Sequence, residues 1–126
     1  MSTRRILIVD DEADIREVAQ VSLELVGHWD VVTAASGQEA LQTARRVQPD
    51  AILLDVMMPD MDGPSTLAEL RSDPATSAIP VVFLTAKAAA DERSRLAQLG
   101  AAGVVVKPFD PLQLAHEVAS TLHWTE

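Results

Sequence analysis

Residues 5–12 read Arg-Ile-Leu-Ile-Val-Asp-Asp-Glu, a short apolar run that ends in three acids. A strand with one exposed face alternates polar and apolar residues, whereas a strand that is buried on both faces is apolar throughout. The run therefore predicts a strand covered on both sides. The acids that follow mark its carboxyl end.

The same pattern of an apolar run followed by a helical stretch occurs five times along the chain. We predict strands at 5–9, 31–34, 51–54, 79–84 and 104–106, and helices at about 12–26, 36–47, 64–72, 88–99 and 110–122. Three helix starts have specific signals, which are Ser36 with Glu39 as a capping box, Pro64 in a first turn, and Asp110-Pro111 as an N-cap followed by proline.

Strands that alternate with helices predict an α/β fold, in which a parallel sheet carries helices on both faces. Its crossover connections are expected to be right-handed. Ligands of such sheets bind at the carboxyl ends of the strands, at a topological switch point. We therefore expect any functional residues to follow the strands directly.

Composition narrows the class of protein further. The chain has 126 residues, 48% of them hydrophobic, which fits one globular domain with a single core. A net charge of −9 disfavours nucleic-acid binding, which needs clustered Lys and Arg. Cysteine is absent, which excludes disulfides and thiolate chemistry. No apolar run suits a membrane span or a signal peptide, so we expect a cytoplasmic location and no membrane association.

Polar residues follow four of the five predicted strands. They are Asp10, Asp11 and Glu12 after the first strand, Asp55 after the third, Thr85 after the fourth and Lys107 after the fifth. In a parallel sheet these side chains converge on one edge. Glu12 is the exception, because an acid in a first helical turn is explained by the helix dipole.

Several carboxylates in one pocket repel each other unless a cation neutralises them. Mg²⁺ or Mn²⁺ suits such a set, since hard cations prefer oxygen ligands. We expect Asp11 and Asp55 to bind the metal directly, Asp10 mostly through water, and Met57 through its backbone carbonyl. No organic cofactor is expected.

A lysine and a hydroxyl beside these carboxylates suit phosphoryl transfer to a carboxylate. The Lys107 ammonium and the Thr85 hydroxyl can each meet a phosphoryl oxygen, and Asp55 is placed to act as the nucleophile. The residue types therefore predict phosphoryl chemistry at this edge of the sheet.

Four motifs in order closely resemble the signature of bacterial two-component response-regulator receiver domains. They are Asp10-Asp11, the stretch Asp-Val-Met-Met-Pro-Asp-Met-Asp-Gly from Asp55, Thr85-Ala86, and Lys107-Pro108-Phe109. The resemblance covers essentially the whole chain. It implies a flavodoxin-like, doubly wound sheet of five strands in the order 2-1-3-4-5 with five helices, Asp55 as the phosphoacceptor, and a cis Lys107–Pro108 peptide.

The resemblance also implies partners. The phosphodonor would be the phosphohistidine of a sensor histidine kinase or of a histidine phosphotransfer protein. An effector protein would bind the helix Ala88–Leu99, strand five and the last helix, and phosphorylation could form a homodimer through the same face. Residues 1–126 are expected to be a stand-alone receiver without an output domain, a phosphoacceptor rather than an enzyme.

The chain departs from the family pattern at Val104, where receivers often carry Tyr or Phe as half of their switch. Met57 and Lys87 flank the acceptor, and neither is a carboxylate or an amide that could position water. We therefore expect slow loss of the phosphoryl group. In the stretch before strand two, Trp29 is expected to cap the edge of the core.

Other functions remain as alternatives. A phosphatase of the haloacid dehalogenase type also uses an Asp nucleophile with Mg²⁺, but it needs a second Asp at the position of Met57. A phosphorylation-independent pseudo-receiver would be expected to lose acidic or Lys positions that this chain keeps. An EF-hand over Asp60–Gly63 fails, because its first ligand position would be Met58.

Overall fold

The chain alternates strands with helices, and the computed structural model describes residues 3–87 and 89–124. The strands are β1 (Arg5–Val9), β2 (Asp30–Ala34), β3 (Ala51–Asp55), β4 (Val81–Thr85) and β5 (Gly103–Val106). The helices are α1 (Ala13–Leu25), α2 (Gly37–Val47), α3 (Gly63–Ser72), α4 (Ala90–Gln98) and α5 (Leu114–Leu122). All strand pairs are parallel, in the order β2-β1-β3-β4-β5. The predicted fold and strand order are therefore confirmed.

Each central strand is buried on both faces, as its continuous apolar sequence predicts. On β1, Leu7 and Val9 contribute to one hydrophobic cluster, and Ile6 and Ile8 contribute to another. Residues of α2, α3 and α4 complete the first cluster, and residues of α1 and α5 complete the second. Three helices thus cover one face of the sheet and two cover the other.

Two predicted helix starts are wrong by a few residues. The last helix begins at Leu114 rather than at Asp110. The Asp110 carboxylate accepts a hydrogen bond from the Leu112 N–H at 2.9 Å, and this closes a local turn before the helix begins. The fourth helix is Ala90–Gln98, shorter than the predicted Ala88–Leu99, and Ala88 lies outside the described residues.

The start of α2 follows its predicted signal with one difference. The Ser36 hydroxyl accepts a hydrogen bond from the Glu39 N–H at 3.1 Å, as in a capping box. The Glu39 carboxylate, however, accepts from the Ala35 N–H at 2.8 Å, one residue before the N-cap. The helix start is therefore fixed from both sides.

Two tryptophans meet in the hydrophobic cluster that α1 and α5 form with the sheet, next to the start of β2. Trp29 is only 5% exposed, which confirms its predicted place at the edge of the core. Its ring meets Trp124 edge-on, with 5.0 Å between ring centroids. The Arg4 guanidinium lies 4.4 Å from the centroid of the Trp124 ring, so the two ends of the described chain meet here. Among the described helices, none is long and apolar enough to cross a membrane.

Candidate functional site

The predicted polar residues meet at the carboxyl edge of the sheet. Asp10 follows β1, Asp55 ends β3, Thr85 ends β4, and Lys107 follows β5. Asp10 is 0% exposed, and Asp55 and Thr85 are almost as deeply buried. One carboxylate oxygen from each of Asp10, Asp11 and Asp55 lies within 4.8 Å of the others. The expected convergence of these residues is therefore observed.

The turn between β1 and α1 holds Asp10 by three separate hydrogen bonds. Its N–H donates to the Ala34 carbonyl at 3.2 Å, which continues the sheet by one residue. Its carboxylate oxygen Oδ1 accepts from the Glu12 N–H at 2.9 Å. Its backbone carbonyl accepts from Nη1 of Arg16 at 2.7 Å. Asp10 therefore has a fixed orientation, whereas Asp11 beside it is exposed.

Lys107 connects the two buried carboxylates. Its ammonium lies 2.9 Å from Asp10 Oδ2 and 3.1 Å from Asp55 Oδ1. The backbone N–H of Lys107 donates to the Thr85 carbonyl at 2.7 Å. The peptide bond between Lys107 and Pro108 is cis, as predicted. Burial disfavours the ammonium form, but the hydrogen bonds and charges of Asp10 and Asp55 hold the pKa of Lys107 above its usual value.

The pKa of the Asp55 carboxyl differs from its usual value. Burial is the main cause that raises its pKa from 3.8 to about 6, and the neighbouring Asp10 charge adds to the rise. The hydrogen bond and charge of Lys107 and the Met57 N–H act in the opposite direction. Asp55 is therefore a buried carboxyl whose ionised form is only partly compensated by its neighbours.

Thr85 lies beside this pair at the end of β4. Its hydroxyl oxygen accepts a hydrogen bond from the Lys87 N–H at 3.1 Å, which closes a turn after the strand. A hydroxyl that accepts a bond in this way can still donate its own proton. The local turn and a role in the site are therefore compatible.

The carboxylate set fits a hard divalent cation. Asp10 Oδ2 is buried and lies 2.9 Å from the Lys107 ammonium. Such an oxygen can accept a further positive ligand. Asp11 is exposed and opens the cluster to solvent. Oxygen ligands of this kind suit Mg²⁺ and Mn²⁺, whereas soft metals prefer thiolate or imidazole.

The structure places the remaining candidates less centrally. The Met57 side chain is 70% exposed, and its carbonyl as a metal ligand stays a prediction. Asp62 is the N-cap of α3, where its carboxylate accepts from the Ser65 N–H at 2.8 Å. This bond lowers the pKa of Asp62. Among groups of three or more potential metal-ligating side chains in the described residues, the cluster found is that of Asp10, Asp11 and Asp55.

Sequence reasoning missed one residue of the site, Arg16. A lone arginine on an amphipathic helix has no distinguishing signal, and its bond to the Asp10 carbonyl depends on how α1 leaves the sheet. The only available hint is its position four residues after Glu12, which places it one turn above the start of the helix.

Comparisons with known proteins agree with this geometry. Residues 6–119 match the family model described as the response regulator receiver domain. Among solved structures, the chemotaxis response regulator CheY4 of Vibrio cholerae is 32% identical, with a TM-score of 0.88 over 95% of this chain and 99% of that chain. A putative response regulator from Chloroflexus aurantiacus is 34% identical, with a TM-score of 0.87 over 97% and 99% of the two chains.

Curated relatives are longer than this chain. A probable transcriptional regulator, ycf27, of Cyanophora paradoxa is 41% identical over 100% of this chain and 51% of its own length. The alkaline phosphatase synthesis transcriptional regulatory protein PhoP of Bacillus subtilis is 38% identical over 98% of this chain and 50% of its own length. The chain thus spans about half the length of these relatives. On the match over residues 6–119, the chain belongs to the receiver domain family of two-component response regulators.

Proposed function

We propose that this chain accepts a phosphoryl group on Asp55 from a phosphohistidine of a sensor histidine kinase or of a phosphotransfer protein. The observation that carries the proposal is the Lys107 ammonium, which lies between the buried carboxylates of Asp10 and Asp55. A cation fixed at this distance from the acceptor is placed to meet an oxygen of the incoming phosphoryl group.

The transfer is a substitution at phosphorus. A carboxylate oxygen of Asp55 attacks in line, the P–O bond forms, and the P–N bond to the donor histidine breaks. The released imidazole keeps the electron pair of that bond and takes up a proton. Lys107 and the Thr85 hydroxyl stabilise charge on the equatorial oxygens, because both are held at the end of neighbouring strands.

A divalent cation belongs to this proposal. Asp11 and Asp55 would bind Mg²⁺ or Mn²⁺ directly, Asp10 would bind it mostly through water, and the Met57 carbonyl would supply a backbone ligand. When bound, the ion supplies positive charge that offsets the repulsion between the carboxylates and the phosphoryl oxygens. Asp10 would keep its orientation when the ion binds, because its carboxylate accepts a hydrogen bond from the Glu12 N–H and its backbone carbonyl accepts one from Arg16.

The chain is proposed to be a phosphoacceptor that assists its own phosphorylation and dephosphorylation rather than an enzyme with turnover. A phosphatase would need a general acid two residues after the nucleophile, and that residue is the exposed Met57. Met57 and Lys87 also offer no carboxylate or amide to orient water. We predict a phosphoryl lifetime of minutes or longer in the purified protein, measured from the decay of the phosphorylated mass. Loss within seconds would contradict this.

Output is proposed to be protein binding in the cytoplasm, through the surface of α4, β5 and α5. Val104 is half-buried and packs against the cluster that contains Phe83 and Leu96. It has no ring to rotate, so the movement of Thr85 would reach this surface through packing alone. A phosphorylation-dependent homodimer through the same surface is part of this proposal.

The test is phosphorylation of the purified chain by acetyl phosphate, with and without Mg²⁺, followed by intact mass spectrometry. We expect a gain of one phosphoryl group that depends on Mg²⁺. The matched control is Asp55→Asn, which keeps the shape of the side chain and removes the nucleophile. The Asp55→Asn protein should gain no mass under any of these conditions.

Two outcomes would contradict the proposal. A phosphoryl group that is still gained by Asp55→Asn would place the acceptor elsewhere. No gain by the unmodified chain, with Mg²⁺ binding confirmed by calorimetry, would favour a phosphorylation-independent interaction module. Repeated turnover of a small phosphate ester would instead favour a phosphatase.

A further inference from the structure

The acidic turn that carries Asp10 and Asp11 is held from outside by a single side chain of α1. Nη1 of Arg16 donates to the Asp10 backbone carbonyl at 2.7 Å, across six residues of the chain. Arg16 is half-buried, in contrast to the exposed arginines at the end of α2. The guanidinium therefore lies against the backbone of the site rather than in solvent.

The other contacts of Asp10 act on different atoms: the Lys107 ammonium pairs with its side chain at 2.9 Å, and its N–H donates to the Ala34 carbonyl. The N-cap of α1 is Glu12, and its side chain makes no capping hydrogen bond. The bond from the Glu12 N–H to Asp10 Oδ1 lies within the turn and moves with it. The Asp10 N–H holds the turn to β2, but at 3.2 Å this bond is longer than the arginine bond. A bond from a charged donor is also stronger than one between neutral groups.

We infer that Arg16 is a positioning residue for divalent cation binding, because it holds the Asp10–Asp11 turn in the orientation that brings both carboxylates to the site. The inference rests on the cation site of the proposed function. Arg16 would touch neither the ion nor the phosphoryl group. It would act through the backbone of Asp10, whose Oδ2 is buried and lies 2.9 Å from the Lys107 ammonium.

Arg16 has two effects on the site, and they have opposite signs. Its positive charge repels a divalent cation, so loss of the charge alone would strengthen binding. Its hydrogen bond keeps the two carboxylates in place, so loss of the bond would weaken binding. Removal of groups that orient metal ligands typically costs roughly tenfold or more in affinity, which exceeds a screened repulsion between partly exposed charges. We therefore expect positioning to dominate.

The experiment is calorimetric titration of the intact chain with MgCl₂, in the absence of any phosphodonor. Arg16→Ala should weaken Mg²⁺ binding roughly tenfold. Arg16→Lys retains the charge and one donor, so its affinity should lie between those of Arg16→Ala and the unmodified chain. The matched control is Arg46→Ala, which removes an exposed arginine in the last turn of α2, at the opposite edge of the sheet.

Two further readouts separate positioning from damage to the fold. Melting temperatures without Mg²⁺ should show that the Arg16 variants are folded at the temperature of titration. At saturating Mg²⁺, phosphorylation of Arg16→Ala by acetyl phosphate should approach the rate of the unmodified chain, because the defect lies in metal affinity. A merely structural role would not produce that recovery.

The outcomes distinguish this inference from the function on which it rests. If the unmodified chain binds no Mg²⁺, the proposed function itself fails. If the unmodified chain binds Mg²⁺ and Arg16→Ala binds it equally or more tightly, only the positioning role is overturned. A loss of affinity in Arg46→Ala as large as that in Arg16→Ala would also overturn it, since the loss would then not depend on the bond to the Asp10 carbonyl.

Discussion

At the scale of single residues, the positive charge of one ammonium partly offsets the negative charges of the buried carboxylates of the site. Asp10 and Asp55 share Lys107, yet the pKa of Asp55 is still raised to about 6. The balance is therefore incomplete, and the ionised site is under electrostatic stress when no metal is bound. This repulsion would favour the binding of a cation, as proposed above, and we expect it to lower the stability of the metal-free protein.

Asp55→Asn is expected to stabilise the metal-free protein near neutral pH. A rise in pKa from 3.8 to about 6 means that the folded chain binds more protons than the unfolded chain between these values, so stability falls as pH rises through them. The full shift corresponds to about 3 kcal/mol. This figure already includes the attraction of Lys107, and the gain should be smaller because a buried asparagine amide needs hydrogen-bond partners of its own.

Urea unfolding of both proteins as a function of pH, without Mg²⁺, measures this effect. The difference in the free energy of unfolding should be on the order of 1–3 kcal/mol at about pH 7 and should vanish below roughly pH 3, where both states are protonated. An equal difference at the two pH values would show that packing, and not ionisation, distinguishes the variant.

The polar residues of the site could be predicted from the sequence because each of them directly follows a buried apolar run. The architecture then brings them together without further information. Arg16 and Trp124 could not be predicted in this way. Arg16 acts through a backbone carbonyl, and Trp124 reaches Trp29 only because the chain turns back after α5 with His123 at positive φ.

At the scale of helices and strands, boundaries with a side-chain cap or a stop signal were predictable, and those decided by turns were not. Ser36 caps α2 as expected. Asp110 and Pro111 resemble a helix start equally well, but the Asp110 carboxylate closes a turn instead. Ser22 of α1 donates to the Pro111 carbonyl, and this contact between distant segments has no signal in the local sequence.

Two glycines at element junctions should respond differently to alanine. A Cβ on Gly63 would lie 2.5 Å from the Asp55 carbonyl oxygen and 2.9 Å from the Val56 Cα, both of which are backbone atoms. A Cβ on Gly103 would overlap the Thr121 methyl, which belongs to a side chain. The clash at Gly63 can be relieved only if the backbone at the end of β3 moves. The clash at Gly103 can be relieved if Thr121 changes its rotamer or is replaced by a smaller residue.

We expect Gly63→Ala to destabilise the chain by about 3 kcal/mol and to slow phosphorylation, because it displaces the end of β3 that carries Asp55. Gly103→Ala should cost about 1 kcal/mol and leave phosphorylation unchanged. Urea midpoints and phosphorylation rates measure both. Thr121→Ala should restore the stability of Gly103→Ala, and a double variant no more stable than Gly103→Ala would refute the proposed contact.

At the scale of the whole molecule, α4 and α5 contribute unequally to the hydrophobic core. Among the residues of α4, only Leu96 is buried, whereas α5 buries Leu114, Ala115, Val118 and Ala119. Helix α4 also carries an ion-pair network, in which the Glu92 side chain, 13% exposed, lies 2.6 Å from Arg95 and 3.9 Å from Lys87. Both cations are more than half exposed, and pairs with solvent-exposed cations contribute little to stability. The helix next to Thr85 is therefore held weakly.

Hydrogen exchange should reveal this difference. Amides of α4 are expected to exchange roughly tenfold or more faster than those of α5 in the unphosphorylated chain, since weakly packed elements open locally at low free energy. Acetyl phosphate with Mg²⁺ should slow exchange in α4, because a Thr85 hydroxyl bound to the phosphoryl group would order the segment that leads into this helix. Mass spectrometry of peptic peptides measures both effects, with Asp55→Asn as the control. Equal exchange in α4 and α5, or an unchanged α4 in a fully phosphorylated sample, would mean that the signal leaves the site by another route, and Val104 on β5 would then be the first residue to replace.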